Sequence, residues 1–319
     1  MKGVGLFAGA GGFEVAAEQA GIEVIYAANH WPLAVAVHAA NHPSAEHSCQ
    51  DVTMLDFNTL DPFDFLFAGV ACQGHSRGGR QGRKSSKKVE ADHAKLRATA
   101  WCVVKCLEIC RPRFFIVENV PEFLDWTLLD PWLACLRKLG YAVTTQVLCA
   151  SRWGVGQRRS RMFVVGVHEG PHVAVQDPDV EETGVAQIFD PAAKDWKRIS
   201  DMRKTTSKSG YKTAREKAEY ANERLGGELG WGQHTNYGAW GLPLSTPCPT
   251  LTTCPAHMWW VRDGYYRLWT RGELAAAQSF PASYDFLDAN KKDEARLIGN
   301  AVPPKLAEGV IREVLRQAA

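Results

Sequence analysis

The sequence predicts an α/β protein: a doubly wound, mainly parallel sheet with helices on both faces and a second, smaller domain. Three observations carry this. Short apolar runs, Val4 to Phe7, Ile22 to Ala28, Phe63 to Gly69 and Phe114 to Val117, alternate with helical patterns, and strands that are apolar throughout belong to sheets covered on both faces. A glycine-rich turn joins the first run to the first helix, as at the start of a nucleotide-binding unit. From His168 to about Thr246 this periodicity fades while Gly, Lys, Arg and Trp rise, which marks a separate module. The boundaries expected from this are 1–167 for the large domain, 168–261 for the small one, and 262–319 for a hinge and C-terminal segment that returns to the large domain.

The first unit is strand Val4 to Phe7, turn Ala8 to Gly12, and a helix through Phe13 to Ala20 that stops at Gly21. Glycines let a ligand approach the backbone there, and a helix N-terminus is electropositive. The spacing is not the GxGxxG of dinucleotide binders, which disfavours a nicotinamide enzyme. The second strand ends at Asn29-His30-Trp31, where an acidic residue normally holds a cofactor ribose; here the position offers His30, with Trp31 as a stacking surface. Asp51 places a carboxylate after a third strand, suited to an adenine amino group.

The apolar run ending at Gly69 puts Cys72 just past the carboxyl end of a strand, where open α/β sheets bind their ligands. A thiol there is a candidate nucleophile, although a free cysteine is more often a small buried hydrophobe. The stretch after it is poor core material: Gln73 to Gly82 holds four glycines and two arginines, and between Arg77 and Arg97 eight Lys/Arg face only Glu90 and Asp92. A basic, mobile loop beside a nucleophile suits a polyanionic substrate; charge alone does not exclude a solvated linker.

Ala98 to Cys110 reads as an amphipathic helix and Phe114 to Val117 as a buried strand running directly into Glu118-Asn119-Val120. A carboxyl at the end of an apolar strand is costly to bury, so Glu118 is a candidate general acid with a raised pKa. Two more strands are expected at Ala142 to Leu148 and Met162 to Val167, with Gln157, Arg158, Arg159 and Arg161 between them, suited to phosphates. In the small module Trp231, Trp240, Trp259 and Trp260 read mainly as core. A helix ends at Gln278, and an amphipathic helix from Lys305 to Gln317 closes the chain.

Composition narrows the class. With 319 residues, 45% apolar and 23% charged, the chain is ordinary globular material. No stretch approaches the roughly 18 to 20 apolar residues of a membrane span, and Met1-Lys2-Gly3 leads straight into a strand rather than a signal peptide, so a cytoplasmic protein without membrane contact is expected. Nine cysteines without framework spacing argue for reduced thiols. Cys102, Cys106 and Cys110 recur every four residues among Val103, Val104, Leu107 and Ile109, the pattern of a packed helix face. No two histidines complete a zinc spacing with them, so no metal is expected.

Taken together, these stretches resemble the cytosine-5 DNA methyltransferase family in the order of its bacterial and phage members. The pieces are the cofactor loop Phe7 to Gly12, Ala71-Cys72-Gln73-Gly74 around the nucleophile, Glu118-Asn119-Val120, the arginine motif Gln157 to Arg161, and Gly299 to Pro303 near the C-terminus. The resemblance spans almost the whole chain apart from 168 to 246, the family's variable target-recognition region. It implies a class I methyltransferase fold, S-adenosylmethionine as cofactor, and double-stranded DNA as partner, with the protein acting as a monomer. Phe7, Gly9, Gly11, Gly12, His30, Trp31, Asp51, Asn300 and Val302 would bind the cofactor. Cys72, Glu118, Asn119, Arg159 and Arg161 would be catalytic, and Gln73, Ser76, Arg77, Arg80 and Gln157 would meet DNA. Asn119 would orient the extruded base, and Arg159 and Arg161 would hold it.

Three positions depart from the family pattern. Ala71 stands where it has proline, which loosens the strand exit. His30 replaces a ribose-binding glutamate, a change that either weakens cofactor binding or admits a modified cofactor with an extra anionic group. The first loop begins Gly5-Leu6-Phe7 where many members carry aspartate. Two other readings stand beside the main one: a silent DNA-binding relative, and an enzyme acting on RNA.

Overall fold

The computed structural model describes residues 1–71, 96–202, 213–233, 240–253 and 258–319. Cys72, Gln73, Ser76, Arg77 and Arg80 lie outside the described residues. In chain order the strands are β1 (Lys2–Leu6), β2 (Glu23–Ala28), β3 (Glu46–Ser48), β4 (Phe65–Gly69), β5 (Phe114–Asn119), β6 (Tyr141–Cys149), β7 (Gln157–Arg158) and β8 (Ser160–His168), then β9 (Lys197–Arg198), β10 (Gly230–Gln233), β11 (Leu242–Pro243), β12 (Cys248–Pro249), β13 (Met258–Arg262) and β14 (Tyr265–Leu268). The helices are α1 (Gly12–Gln19), α2 (Pro32–Asn41), α3 (Trp101–Cys110), α4 (Leu129–Lys138), α5 (Ala214–Arg224), α6 (Arg271–Ala277), α7 (Lys291–Asn300) and α8 (Pro304–Gln317).

Seven strands form one sheet in the order β3-β2-β1-β4-β5-β8-β6. Its pairings from β3 to β5 are parallel, and β8 runs antiparallel to both its neighbours. The order reverses between β1 and β4, the switch point at which such sheets open a crevice at their carboxyl ends. Alternation within each strand covers both faces. Leu66, Ala68, Phe115 and Val117 pack with Cys102, Val103 and Leu107 of α3 and Trp132 and Leu136 of α4. Phe65, Phe67, Phe114 and Ile116 turn the other way, onto Phe13, Ala16 and Ala17 of α1 and Leu306, Val310 and Ile311 of α8. Cys102 and Cys106 are thus core residues of a packed helix, as their spacing predicts. Among the described residues no helix is long and apolar enough to cross a membrane.

A second sheet, β11-β10-β13-β14-β9, forms the small module. Trp231, Trp259 and Trp260 are buried in it. Its limits differ from the expected 168–261. Val173 and Val175 pack in the large core beside Phe163 and Val165, so the chain just after β8 still belongs to that core. At the other end β14 pairs with β13 through Leu268. Helices α5 and α7 were not predicted, because charged residues make up about half of each. Their caps were the available signal: Thr213 and Glu216 form a reciprocal capping box, and Asn290 Oδ1 accepts from the backbone of Lys292 and Asp293.

Candidate functional site

Parallel strands deliver the predicted residues to one edge. In register, Gly69 at the end of β4 lies opposite Glu118 near the end of β5, and Cys72 comes three residues after Gly69. Asn119 fastens the connection: its Nδ2 donates to the Val70 carbonyl at 3.3 Å and its Oδ1 accepts from the Val120 N–H at 2.8 Å. The amide is fully buried. Its bonds go to backbone and fix the chain at Val70, two residues before Cys72.

Glu118 is 7% exposed, and Arg161 Nε stands 2.9 Å from its carboxylate. Burial raises its pKa and outweighs the opposing pull of Arg161 and Arg159. The result is a carboxyl that keeps its proton more readily than an exposed glutamate. Antiparallel β8 makes the pairing possible, because Glu118 registers with Phe163 and the chain before Phe163 then runs back past the end of β5.

Arg159 and Gln157 are both buried. The Arg159 guanidinium, on a side chain 2% exposed, donates to the carbonyls of Leu251, Gly299 and Ala301. It braces the backbone at Leu251, Gly299 and Ala301 and reaches Glu118 through its field. Gln157 is fully buried, donating to the Ala277 carbonyl and Gln278 Oε1 and accepting from the Leu251 N–H. These three bonds hold inside the protein the amide that was expected to meet DNA. Sequence reasoning missed Gln278, which donates to the Ala301 carbonyl; an isolated glutamine gives no pattern to read. Arg158 pairs instead with Glu182.

The loop expected to hold the cofactor is built on backbone conformation. Phe7, Gly9 and Gly11 all have positive φ, and Gly11 caps α1. A Cβ on Gly9 would meet nothing closer than the Phe7 carbonyl oxygen at 3.9 Å, so the loop is open there, whereas one on Gly12 would lie 2.1 Å from the Val302 carbonyl oxygen. Gly12 therefore lets the C-terminal motif press against the start of α1. The Ala8 N–H donates to the Ala28 carbonyl, stitching this loop to the end of β2.

Trp31, half-buried, caps α2, and its N–H donates to Asn29 Oδ1 at 2.9 Å. Asp51 is exposed, and its Oδ1 accepts from the N–H and hydroxyl of Thr53. These bonds, with a smaller contribution from His30, hold its pKa below the ordinary value, so it stays an ionised acceptor. His30 and Asn300 are exposed and Val302 is buried. An open loop of positive-φ residues, an aromatic face and an ionised carboxylate at one sheet edge suit an adenosyl ligand; Tyr284 and Arg296, which reach this edge from the C-terminal segment, were not singled out.

Comparison with known proteins identifies the family. Residues 1–316 match the family described as C-5 cytosine-specific DNA methylase. The Type II methyltransferase M1.HphI of Haemophilus parahaemolyticus is 26% identical over 98% of this chain and 86% of its own length. The Type II methyltransferase M.HindV of Haemophilus influenzae is 25% identical over 99% and 96%. In fold, the chain resembles a putative DNA modification methyltransferase encoded within an Escherichia coli prophage, with a TM-score of 0.71 at 21% identity over 99% of both chains. It also resembles the S. pombe Dnmt2 methyltransferase, with a TM-score of 0.63 at 18% identity over 99% of this chain and 98% of that one.

Proposed function

This chain belongs to the C-5 cytosine-specific DNA methylase family, a DNA methyltransferase that uses S-adenosylmethionine, and on that footing we propose that Cys72, Glu118 and Arg161 carry its chemistry. The observation behind this reading is the buried, proton-holding carboxyl of Glu118, in register with the strand end that leads to Cys72.

Carbon 5 of cytosine is a poor nucleophile. The Cys72 thiolate adds to carbon 6, and Glu118 donates a hydrogen bond or proton to nitrogen 3 as electrons move there. Arg161, 2.9 Å from Glu118, steadies the carboxyl and the ring it meets. Asn119 holds the chain before Cys72 through Val70, and Arg159 braces the motif around Gly299 and Ala301. Phe7, Gly9, Gly11, Trp31, Asp51 and Asn300 would hold S-adenosylmethionine, with Trp31 against the adenine and Asp51 on its amino group. The cofactor supplies an electrophilic methyl group. Methylation of carbon 5 would release S-adenosylhomocysteine; the carbon-5 proton then passes to solvent, the electron pair it leaves expels Cys72 as a thiolate, and nitrogen 3 returns to Glu118 any proton it took. None of this chemistry is accessible in a stacked duplex, so the cytosine is extruded, with the segment from Gln73 to Lys88, including Ser76, Arg77 and Arg80, meeting DNA. We read the enzyme as a cytoplasmic monomer acting on double-stranded DNA.

Incubation with labelled S-adenosylmethionine and unmodified DNA tests the assignment. Wild type should incorporate label and Cys72→Ala should not; equal incorporation would overturn the role of Cys72. Trapping on 5-fluorocytosine placed in DNA or in RNA separates the DNA enzyme from an RNA enzyme, and bisulfite sequencing of DNA from expressing cells reads out the recognition site.

A further inference from the structure

The guanidinium of Arg296 lies over the Trp31 ring, 4.3 Å from its centroid. The two residues come from opposite ends of the sequence: Trp31 caps α2 beside β2, whereas Arg296 sits in the middle of α7. Helix α7 is held firmly. Leu297 and Ile298 are buried in the core that Trp31 and Leu33 border, and Glu294 pairs with Arg271 at 3.0 Å. Among the described residues no hydrogen bond or ion pair joins Arg296 to another side chain, so the ring is its partner. Trp31 is only half-buried, and an indole at a crevice rim without support can turn between rotamers.

We propose that Arg296 is a positioning residue for the cofactor: it covers one face of the Trp31 indole and leaves the other face for the adenine. A planar guanidinium stacks on an aromatic face while its edge stays hydrated. Cation–π attraction then holds the indole in one orientation. The adenine meets a platform already in place, and less ordering accompanies binding. The arrangement also explains why the helix ending in Asn300 belongs to the cofactor site as a whole: the same helix supplies the support for the adenine and leads into the motif that backs α1 at Val302.

This inference rests on the reading of Trp31 as the adenine platform, and the experiment separates the two. S-adenosylhomocysteine is titrated calorimetrically into wild type, Trp31→Ala, Arg296→Ala, Arg296→Lys and the double alanine variant, with thermal unfolding to confirm each is folded. Arg296→Ala should raise Kd about three- to tenfold, the range for a partly exposed cation–π contact. Arg296→Lys, which keeps a cation, should recover part of the loss. In the Trp31→Ala background, removing Arg296 should cost nothing more. In turnover with DNA, the cofactor KM should rise more than kcat falls. An unchanged Kd for Arg296→Ala while Trp31→Ala weakens binding overturns the inference alone, as does an equal loss from removing Arg296 with and without Trp31. An unchanged Kd for Trp31→Ala overturns the platform reading beneath it. If Arg296→Ala does not fold, Arg296→Lys and Arg296→Gln carry the comparison: loss in Gln with recovery in Lys supports the cation, and equal Kd values near wild type overturn it.

Discussion

Glu118 is a carboxyl held at the end of an all-apolar strand with a guanidinium against it. Its proton is retained above the pH at which an exposed glutamate loses it, because burial penalises the charged form more than Arg161 and Arg159 stabilise it. Between the ordinary carboxylate pKa and the raised one, the folded state binds a proton that the unfolded chain has lost, so stability falls as pH rises through that window. Glu118→Gln should abolish this part of the pH dependence of denaturant unfolding. It should also lower methylation about 10²- to 10⁴-fold, the range for losing a general acid, while S-adenosylhomocysteine binding stays close to wild type. Glu118 was legible in the sequence because an ionisable group after Phe114 to Val117 is conspicuous. The hydrogen-bond partners of Gln157, Arg159 and Asn119 were not, since a polar side chain near a motif has the same letter whatever it bonds.

At the scale of elements, the junction between α1 and Val302 carries the loop proposed to hold the cofactor. A methyl group on Gly12 would lie 2.1 Å from the Val302 carbonyl oxygen, and backbone on both sides leaves no flexible group to yield. Gly12→Ala should therefore cost about 1–3 kcal/mol, as overpacking does, and weaken S-adenosylhomocysteine binding; calorimetry and denaturant unfolding measure both. Strands β1, β2, β4 and β5 were legible because buried parallel strands are unbroken apolar runs. Helices α5 and α7 were hidden by their charged surfaces and betrayed only by the caps Thr213 and Asn290.

Across the whole molecule, the small sheet is tied to the C-terminal segment by a buried ion pair. Arg267 on β14 donates through both terminal nitrogens to Glu273 on α6, each at 2.7 Å, and Glu273 also accepts from Trp260 Nε1 and the Asp190 N–H. The bonds from Arg267 and from the Asp190 and Thr270 N–H groups hold its pKa below the ordinary value despite burial. Glu273→Ala should strand the buried Arg267 and cost about 3–5 kcal/mol, read as a lowered Tm. An unchanged Tm would mean the two parts do not depend on this pair. The expected module limit at residue 261 fell inside this sheet, because a boundary drawn from composition cannot see a strand pairing.

By itself the sequence determined the α/β class, the run of strands and the positions of the candidate chemical groups, since each depends on residue type and spacing along a few neighbouring positions. Tertiary structure alone decided that Gln157 and Arg159 serve the backbone, that Gly12 meets Val302, and that Arg296 lies over Trp31. Such contacts join residues as many as 290 positions apart, and side-chain direction across such distances is set by how helices and sheets pack, which no local pattern records.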